Sequence, residues 1–326
     1  MAKRRRTQLA PADAASIAAA AACLRSGGLV ALPTETVYGL AADATSDAAV
    51  ASIYEAKGRP SFNPLIAHVL DIEAARAEGL FNRAAERLAQ AFWPGPLTLV
   101  LPVSPGCRVS LLARAGLDTV ALRAPSDPTA RAVIEAAARP LAAPSANRSG
   151  RVSPTTAAHV LADLDGRIDW ILDAGASPHG LESTIVACLN SEAALLRPGA
   201  IAQETIEAVL GTPLVVPVAH LKKPNAPGRL DSHYAPRASV RLEAADVGHD
   251  EAALDFAGAL SAGGGEARLD LSPGGDLAEA ASNLFAYLRA LDASGARCIA
   301  VARIPSRGLG AAINDRLQRA AAPRPA

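Results

Sequence analysis

The sequence predicts a mixed α/β protein with two domains. Its length of 326 residues is typical of two domains, and half of the residues are hydrophobic while a fifth are charged, as in packed globular proteins. From Gly28 to about Gly211, short apolar segments alternate with stretches of helical periodicity, which indicates one α/β domain. A second alternation follows a proline-rich segment, so we expect a smaller α/β domain after it.

The N-terminus combines a basic run with an alanine-rich stretch that imitates a signal peptide. The run Lys3–Arg6 precedes AASIAAAAACL, but Pro11 and Asp13 interrupt the approach. The apolar stretch is also shorter than the roughly 20 residues needed to span a bilayer. We expect a solvated basic end and then a helix with Asp13 near its N-cap and Gly27 near its C′ position. A weak contact between the basic run and tRNA is the minority interpretation.

The first domain is predicted over residues 1–211 from strand and helix patterns that follow one another. Its short apolar strand candidates are GLVALP, LIAHV, PLTLVLP, TVALRAP, RPLAAPSAN, STIVACL and ALLRPG. Its helix candidates have capping residues or apolar residues at helical spacing, and they are Ser46–Lys57, Arg83–Phe92, Asp127–Ala138 and Thr155–Leu164.

Residues 212–237 are rich in proline and lack sustained periodicity, so they are predicted to be a semi-stiff linker. The second domain is predicted over residues 238–326. Strand candidates SVRLEA, ARLDLS and CIAVARIP alternate there with three helix candidates, Asp250–Leu260, Leu277–Leu291 and Ala311–Arg319. A β-α-β-α-β-α order predicts a small parallel sheet with right-handed crossovers.

Composition and motifs argue against several classes of protein. Lys and Arg together number 32, as do Asp and Glu, so bulk attraction to nucleic acid is not expected. The four cysteines are scattered without a C-x-x-C pair, which fits a reducing compartment and gives no zinc-site spacing. Neither a P-loop nor a G-x-G-x-x-G motif is present. We therefore expect a cytoplasmic protein with no membrane contact and no metal held by protein ligands alone.

Polar, stiff segments recur where the predicted strands end. They are PTETVYGL, KGRPSFNPL, PSANRSG, HGLESTIV and LRPG. Taken singly, each has an ordinary interpretation: Lys57 could favour the dipole at the end of its helix, and His68 could be a core histidine. Ligands gather at strand ends in open α/β sheets, however. Cations, amides and hydroxyls at successive strand ends therefore predict a site for a polyanion.

The same segments carry a resemblance to a known family. KGRPSFNPLIAHV, preceded by PTETVYGL and followed by PSANRSG, ESTIV and LRPG, closely resembles the YrdC-like family, and the linker and second domain resemble its long two-domain form, the threonylcarbamoyl-AMP synthases. The resemblance implies a YrdC-like twisted α/β sheet around a basic cavity, followed by a Rossmann-like domain. It also implies synthesis of L-threonylcarbamoyladenylate and pyrophosphate from L-threonine, bicarbonate or CO2, and ATP. A separate tRNA threonylcarbamoyl transferase complex would consume the product to form N6-threonylcarbamoyladenosine.

Matching residues extend the resemblance to the site. It places ATP against Lys57, Arg59, Asn63, Thr119, Ser145, Asn147, Ser153 and Arg197, and threonine against Thr36, His68, Arg123, Ala143 and Ser183. Lys57 and Arg59 would stabilise charge on the leaving pyrophosphate, and Arg123 would bind the substrate carboxylate. Mg2+ would arrive with ATP. The segment SHYAP matches a family lid whose tyrosine, here Tyr234, would reach the nucleotide.

Three alternatives remain open on the sequence. A carbamoyl-adenylate module of hydrogenase maturation would sit in a longer chain with an acylphosphatase-like region and zinc-finger cysteines, which this sequence lacks. An RNA-binding module is weakened by the zero net charge and by an aromatic content of 3%. The third alternative is an inactive scaffold for a modification complex.

Overall fold

Two β-sheets and the helices that connect their strands make up the described chain. The computed structural model describes residues 5–216, 234–261 and 267–323. The strands of its first part are β1 (Gln8–Pro11), β2 (Val30–Leu32), β3 (Gly39–Asp43), β4 (Ile66–His68), β5 (Leu97–Pro102), β6 (Thr119–Arg123), β7 (Leu141–Ala142), β8 (Trp170–Asp173), β9 (Thr184–Ala187) and β10 (Ala194–Arg197). The helices of this part are α1 (Ala14–Arg25), α2 (Asp47–Lys57), α3 (Ile72–Glu78), α4 (Arg83–Phe92), α5 (Pro128–Ala137), α6 (Ala157–Leu164) and α7 (Gln203–Leu210). The second part contains β11 (Ser239–Ala244), β12 (Glu251–Asp255), β13 (Arg268–Asp270), α8 (Leu277–Ala293), β14 (Cys298–Ala302) and α9 (Leu309–Ala321).

The order of strands in the first sheet gathers the predicted polyanion loops. Over the described residues this order is β1-β8-β2-β3-β7-β4-β6-β5-β9-β10, with parallel and antiparallel pairs mixed. The parallel pairing of β4 with β6 sets His68 opposite Arg123. An isolated antiparallel bridge joins Gly39 to Ser145. Residues far apart in the sequence therefore meet at one region of the sheet.

Capping residues explain why the predicted helices of the first part begin where they do. The side chains of Asp13, Ser46 and Asp127 accept hydrogen bonds from the third backbone N–H beyond them, at α1, α2 and α5. The four helix candidates of this part and the N-terminal helix are all confirmed, with ends shifted by at most two residues. Helices α3 and α7 were not predicted.

The end of α2 directs the KGRPSFNPL segment towards the sheet. Gly58 adopts the left-handed conformation with φ of 61°, and the N–H of Arg59 donates back to the carbonyl of Tyr54 at 2.9 Å. This is the closure of a Schellman motif, which favours glycine because a side chain is strained at positive φ. Arg59 therefore leaves the helix in a defined direction.

The prediction of a solvated basic end holds for Arg6, which is exposed, but is wrong for Arg5 and for the residues that follow the basic run. Gln8–Pro11 forms the edge strand β1, which runs parallel to β8. The guanidinium of Arg5 forms an ion pair with Asp169. Strand β8, the partner of β1, was itself missed, and pairing with a distant strand cannot be read from the local composition of the N-terminus. Lys3 and Arg4 lie outside the described residues.

The second sheet is parallel, as expected, but one predicted helix is wrong. The strand order is β11-β14-β12-β13, with every pair parallel. Residues 251–255, predicted within the helix Asp250–Leu260, form strand β12 at the middle of this sheet. Buried strands of parallel sheets read as continuous apolar runs, so EAALDFAGAL carries no alternation that would distinguish a strand from a helix.

The two sheets share an apolar contact. Val37, Val152 and Leu181 from loops of the first part belong to the same buried cluster as Leu284 and Phe285 of α8. The side chains of these residues exclude water from the boundary between the two parts of the chain.

The limits proposed for the domains and the linker stay a prediction, because residues 217–233 lie outside the described chain. The start of the proposed linker pairs with the first sheet, where the N–H of Leu195 donates to the carbonyl of Val215 at 2.8 Å. Among the described residues, no helix is both long and apolar enough to cross a membrane.

Candidate functional site

A small cavity lies where the polar loops of the first sheet meet Tyr234. It encloses about 50 Å³. Nine of the residues predicted to bind ATP or threonine line it: Thr36, Arg59, His68, Arg123, Ala143, Ser145, Ser183, Arg197 and Tyr234. Val37, Ile66, Pro144 and Glu182 complete the described lining. The structure thus brings together residues that are widely separated in the sequence, from Thr36 to Tyr234.

Five predicted site residues do not line the cavity. Lys57, Asn63, Asn147 and Ser153 are buried beside it, with at most 2% of each residue exposed. Thr119 lies at the other end of β6 from Arg123, about 13 Å along the strand. The parallel pairing of β4 with β6 begins at Ile66 and Ala121, so Thr119 lies before the paired part of β6, at the end where the chain enters β4. Thr119 is therefore on the side of the KGRPSFNPL loop, away from Arg123.

A buried pair of opposite charges forms one side of the cavity. The Arg123 guanidinium makes an ion pair with Glu35 at 2.7 Å and donates to the hydroxyl of Thr36 at 2.8 Å. Burial alone would raise the pKa of Glu35, but the charge and hydrogen bonding of Arg123 lower this pKa to about 2. Glu35 is therefore ionised at neutral pH and already neutralises part of the charge on Arg123.

His68 faces the same side and is held neutral. Its burial, and then the positive charge of Arg123, lower the pKa of the imidazole to about 3. The Nδ1 atom is buried and has no hydrogen-bond partner among the described residues. Because buried polar atoms are almost always paired, this nitrogen is poised for a polar group of a ligand.

Buried cations lie on the other side of the cavity, where Arg59 and Arg197 line it and Lys57 is buried beside it. Lys57, Arg59 and Arg197 are between 2% and 8% exposed. Burial is the main cause that lowers the pKa of each, well below its ordinary value for Lys57, and to about 10 for Arg59. The Arg59 guanidinium donates to the carbonyl of Pro64 at 3.1 Å, and Arg197 donates to the carbonyl of Ser183 at 2.9 Å. Desolvated cations of this kind favour an anionic ligand.

Lys57 holds the loop that carries two other predicted residues. Its ammonium group donates to the carbonyl oxygens of Ser145 at 2.6 Å and Asn147 at 2.5 Å, and more weakly to the Asn147 side chain at 3.4 Å. An ammonium has three N–H donors, and these three acceptors account for them. Direct contact between Lys57 and a phosphate therefore stays a prediction, whereas its support of the 145–147 loop is a feature of the structure.

Asn63 is the clearest orphan polar group next to the cavity. The residue is fully buried, and neither polar atom of its side chain has a partner among the described residues. A buried amide left in this state costs free energy that a ligand could recover. The prediction that Asn63 binds ATP is consistent with this geometry.

Sequence reasoning missed Glu182 and Arg316. The Ser153 hydroxyl donates to Glu182 Oε1 at 2.6 Å, and Arg316 Nε donates to Glu182 Oε2 at 2.8 Å. Glu182 lies within HGLESTIV, a polar loop at the start of a predicted strand, and this position could have identified it as a site residue. Arg316 lies in α9, 134 positions further on, and its local sequence carries no such signal.

Tyr234 closes the cavity and is held by the second part of the chain. Its ring stacks on Phe285 with centroids 5.5 Å apart, and the Arg316 guanidinium carbon lies 5.2 Å from the centroid. The residue is 1% exposed. Of the segment SHYAP, Ser232 and His233 lie outside the described residues, so the proposed lid can be followed only from Tyr234 onwards.

The fold and the site together define the class of this protein. The chain is a mixed α/β protein in which buried arginines share a small cavity with a neutral histidine and with the arginine of an arginine–carboxylate pair. Within the described residues, no cluster of three or more His, Cys, Asp or Glu side chains could hold a metal ion. The geometry is that of a site for an anionic ligand beside a second, polar ligand.

Comparison with known families and proteins specifies the class. The model of the Sua5/YciO/YrdC family, described as telomere recombination, matches residues 22–199, and a model described as the C-terminal domain of threonylcarbamoyl-AMP synthase matches residues 201–322. The chain belongs to the Sua5/YciO/YrdC family, in the long form that includes the threonylcarbamoyl-AMP synthases. This confirms the resemblance and favours the synthase over the RNA-binding, scaffold and carbamoyl-adenylate alternatives.

Two relatives of known name match almost the whole chain. Threonylcarbamoyl-AMP synthase of Bacillus subtilis is 43% identical over 94% of this chain and 93% of its own length. The enzyme of the same name from Schizosaccharomyces pombe is 38% identical over 90% of this chain and 84% of its own length. Their agreement over both parts of the chain supports an enzyme with the same two-part organisation.

Solved structures agree with the observed fold. The crystal structure of Pyrococcus abyssi Sua5 complexed with L-threonine aligns with a TM-score of 0.87 at 37% identity, over 97% of each chain. Escherichia coli YciO aligns with a TM-score of 0.51 at 20% identity, over 60% of this chain and 96% of its own, which shows likeness of fold alone. The predicted YrdC-like sheet followed by a smaller α/β part is thereby confirmed.

Proposed function

We propose that this chain is an L-threonylcarbamoyladenylate synthase, which forms threonylcarbamoyl-AMP and pyrophosphate from L-threonine, bicarbonate or CO2, and ATP. The observation that carries the proposal is the set of three buried cations, Lys57, Arg59 and Arg197, at a cavity in a chain that matches a synthase over 94% of its length. Buried cations favour an anionic ligand over a neutral one, and a triphosphate would bring several negative charges to them.

ATP would occupy the side of the site formed by the KGRPSFNPL loop and the 145–147 loop. Arg59 and Arg197 would face the phosphates, while Asn63 would satisfy its orphan amide on the nucleotide. The prolines of KGRPSFNPL and the closed end of α2 hold Arg59 before ATP arrives, so its charge needs little reorganisation. Ser153, Asn147 and Thr119 complete the proposed nucleotide contacts, and Tyr234 would cover them.

Threonine would lie against the opposite side, where Arg123, His68 and Thr36 meet. Arg123 would bind the carboxylate with the part of its charge that Glu35 does not neutralise. His68 Nδ1 has no partner among the described residues and could pair with a polar group of the substrate. Ser183 and the backbone at Ala143 would complete the pocket. The cavity of about 50 Å³ is far below the roughly 300–1,000 Å³ of ligand sites, so side chains must move to admit both substrates.

The chemistry needs positioning and charge more than covalent catalysis. The threonine amine adds to CO2 and loses a proton, giving a carbamate. A carbamate oxygen then forms a bond to the α-phosphorus of ATP while the bond to the pyrophosphate oxygen breaks. Holding the reactants in line contributes up to about 7–11 kcal/mol in well-oriented systems. Arg59 would stabilise the charge that develops on pyrophosphate.

Mg2+ is proposed to arrive with ATP and to remain bound chiefly to phosphate oxygens and water. Glu182 is the only carboxylate among the described residues that line the cavity, and both of its oxygens already accept hydrogen bonds. This donor set fits a metal that is shared with phosphates, since Mg2+ usually keeps several waters in such sites. When bound, the ion would neutralise part of the triphosphate charge.

Beyond the site, we propose that the enzyme works in the cytoplasm and passes its product to a tRNA threonylcarbamoyl transferase complex. Carbamates and mixed anhydrides decompose in water, so a closable site and prompt transfer would protect the product.

The test is direct detection of the product. The purified protein is incubated with ATP, Mg2+, bicarbonate and L-threonine, and threonylcarbamoyl-AMP is measured by mass spectrometry beside pyrophosphate release. We expect both products, and neither without threonine. Serine should serve with a loss of only about 1 kcal/mol, the value of one methyl contact. Absence of threonylcarbamoyl-AMP from a folded sample would overturn the proposal.

A further inference from the structure

Arg316 is the largest fully buried side chain of the described protein, and it crosses between the two parts of the chain. It lies in α9, next to the second sheet, and is 0% exposed. Its Nε donates to Glu182 at 2.8 Å, and its Nη2 donates to the carbonyl of Pro198 at 3.0 Å. Both acceptors belong to loops of the first sheet. Burying a guanidinium this completely is costly unless its contacts compensate for the lost hydration.

The contact of Arg316 with Glu182 reaches the cavity. Glu182 is a lining residue, and its other oxygen accepts from the Ser153 hydroxyl at 2.6 Å. Burial would raise the pKa of Glu182, but the charges of Arg316 and then Arg197 keep it below its ordinary value. Glu182 therefore places a negative charge beside the proposed phosphate-binding cations.

The contact of Arg316 with Tyr234 reaches the cavity from a second direction. The guanidinium carbon of Arg316 lies 5.2 Å from the centroid of the Tyr234 ring. The ring of Phe285, in α8, stacks on the same ring with the two centroids 5.5 Å apart. Both supports come from the second part of the chain. One arginine thus touches both the acid that lines the cavity and the aromatic side chain that closes it.

Asp315 keeps this arginine in place. Arg316 Nη1 donates to Asp315 at 2.6 Å, and Arg319 holds the same carboxylate at 3.0 Å from one turn further along α9. With Nε on Glu182, Nη1 on Asp315 and Nη2 on Pro198, the planar fork has little freedom to turn. The second part of the chain therefore delivers a charge of fixed direction to the site.

We propose that Arg316 is a positioning residue of the nucleotide site, which neutralises Glu182 and braces Tyr234 so that the carboxylate does not oppose an incoming triphosphate. The inference deepens the proposed function and rests on it. Without Arg316, Arg197 is the cation of the site that still acts on the charge of Glu182, so Glu182 would compete with phosphate for that guanidinium. Threonine, bound against Arg123 and His68, should be little affected.

The experiment separates this electrostatic role from a structural one. Affinity for a nonhydrolysable ATP analogue is measured by calorimetry, and KM for ATP and for threonine is measured by pyrophosphate release. Both are measured in the wild type and in four variants: Arg316→Met, Arg316→Lys, Glu182→Gln and the double variant Arg316→Met with Glu182→Gln. Arg268→Ala is the matched control, because it removes an arginine ion pair, with Asp255 at 2.9 Å, inside the second part only. Thermal denaturation of each variant accompanies the titrations.

We expect Arg316→Met to weaken ATP binding by about 10-fold or more, as when one partner of a buried charge pair is removed, with KM for threonine unchanged. The double variant should recover most of that loss, because a neutral amide does not repel phosphate. Arg316→Lys should be intermediate. Glu182→Gln alone should bind ATP as well as the wild type or better, which keeps the inference testable if Arg316→Met fails to fold.

Three results would overturn the inference. They are wild-type ATP affinity in folded Arg316→Met, a double variant no better than the single one, and a tenfold loss in Glu182→Gln. If the wild-type protein still forms threonylcarbamoyl-AMP, any of these results would overturn this inference and leave the proposed function standing. If the wild type neither binds the analogue nor forms the product, the proposed function falls, and this inference falls with it.

Discussion

Replacing Lys57 by methionine should separate the catalytic role of the site from the stability of the fold. Methionine keeps the length and apolar stem of lysine but removes the ammonium. In the structure that ammonium donates to the carbonyls of Ser145 and Asn147 at 2.6 and 2.5 Å, and Lys57 is 2% exposed. The substitution therefore deletes one buried charge and the two short bonds that brace a loop of the site.

The two energetic consequences of this change oppose each other. Hydrogen bonds to a charged group contribute about 1.5–3 kcal/mol each, so losing two costs about 3–6 kcal/mol. Removing a buried ammonium also removes a desolvation penalty of several kcal/mol. We therefore expect the free energy of unfolding of Lys57→Met to stay within about 2 kcal/mol of the wild type.

Activity should not show the same cancellation. The 145–147 loop loses its brace and the site loses a positive charge, so pyrophosphate release should fall by about 10²–10³, as for one preorganised charge-stabilising donor. Unfolding is measured by denaturant titration, and turnover by a coupled pyrophosphate assay. Arg83→Met, at an exposed position at the start of α4, serves as the control for loss of a cation.

Two outcomes would refute the reasoning about Lys57. Normal turnover would show that neither the brace nor the charge matters for the chemistry. A loss of stability far above 2 kcal/mol, with the folded fraction fully active, would show that Lys57 is a structural residue alone and that the two energetic terms do not cancel.

Three further predictions concern the same cavity. Burial lowers the pKa of Lys57, and the negative charge of a bound ATP analogue should raise it again. Binding at about pH 9 should therefore take up protons. Calorimetry in buffers of different ionisation enthalpy should show this proton uptake in the wild type and not in Lys57→Met. Arg123 and its neighbours lower the pKa of Glu35 from 4.5 to about 2, so ionised Glu35 stabilises the fold above pH 4.5 and loses this contribution as the pH falls towards 2. The melting temperature of the wild type should therefore fall more over this pH range than that of Glu35→Gln. Equal changes in the two proteins would contradict the pairing of Glu35 with Arg123. The ring of Tyr234 covers the cavity and is held by stacking, so Tyr234→Ala should admit water that hydrolyses the product and should release more AMP for each threonylcarbamoyl-AMP formed. Tyr234→Phe keeps the ring and should resemble the wild type. An equal ratio of AMP to threonylcarbamoyl-AMP in all three proteins would contradict a lid role for Tyr234.

Local signals in the sequence were sufficient for much of the first part of the chain. Helices α1, α2 and α5 begin at the predicted caps, because a side chain that satisfies free N–H groups acts within its own turn. The polar loops were also recognisable, since stiff, charged segments after apolar strands have few purely structural uses. Nine of the binding residues that the family resemblance implied line one cavity.

Local signals failed where burial or pairing with a distant segment decides the structure. Residues 251–255 form a strand because neighbours on both sides bury them in a parallel sheet, although their apolar spacing also suits a helix. Gln8–Pro11 becomes strand β1 only because β8 offers it an edge.

The electrostatics of the cavity belong wholly to the tertiary structure. The sequence supplies the cations and their loops, but not the carboxylates that moderate them: Glu35 on Arg123, and Glu182 between Ser153 and Arg316. Charges separated by up to 134 positions interact only after folding has brought them within hydrogen-bonding distance and excluded water from between them. Spacing in a sequence records which groups are present, whereas burial and distance, which set the pKa values and the binding of phosphate, exist only in the folded chain.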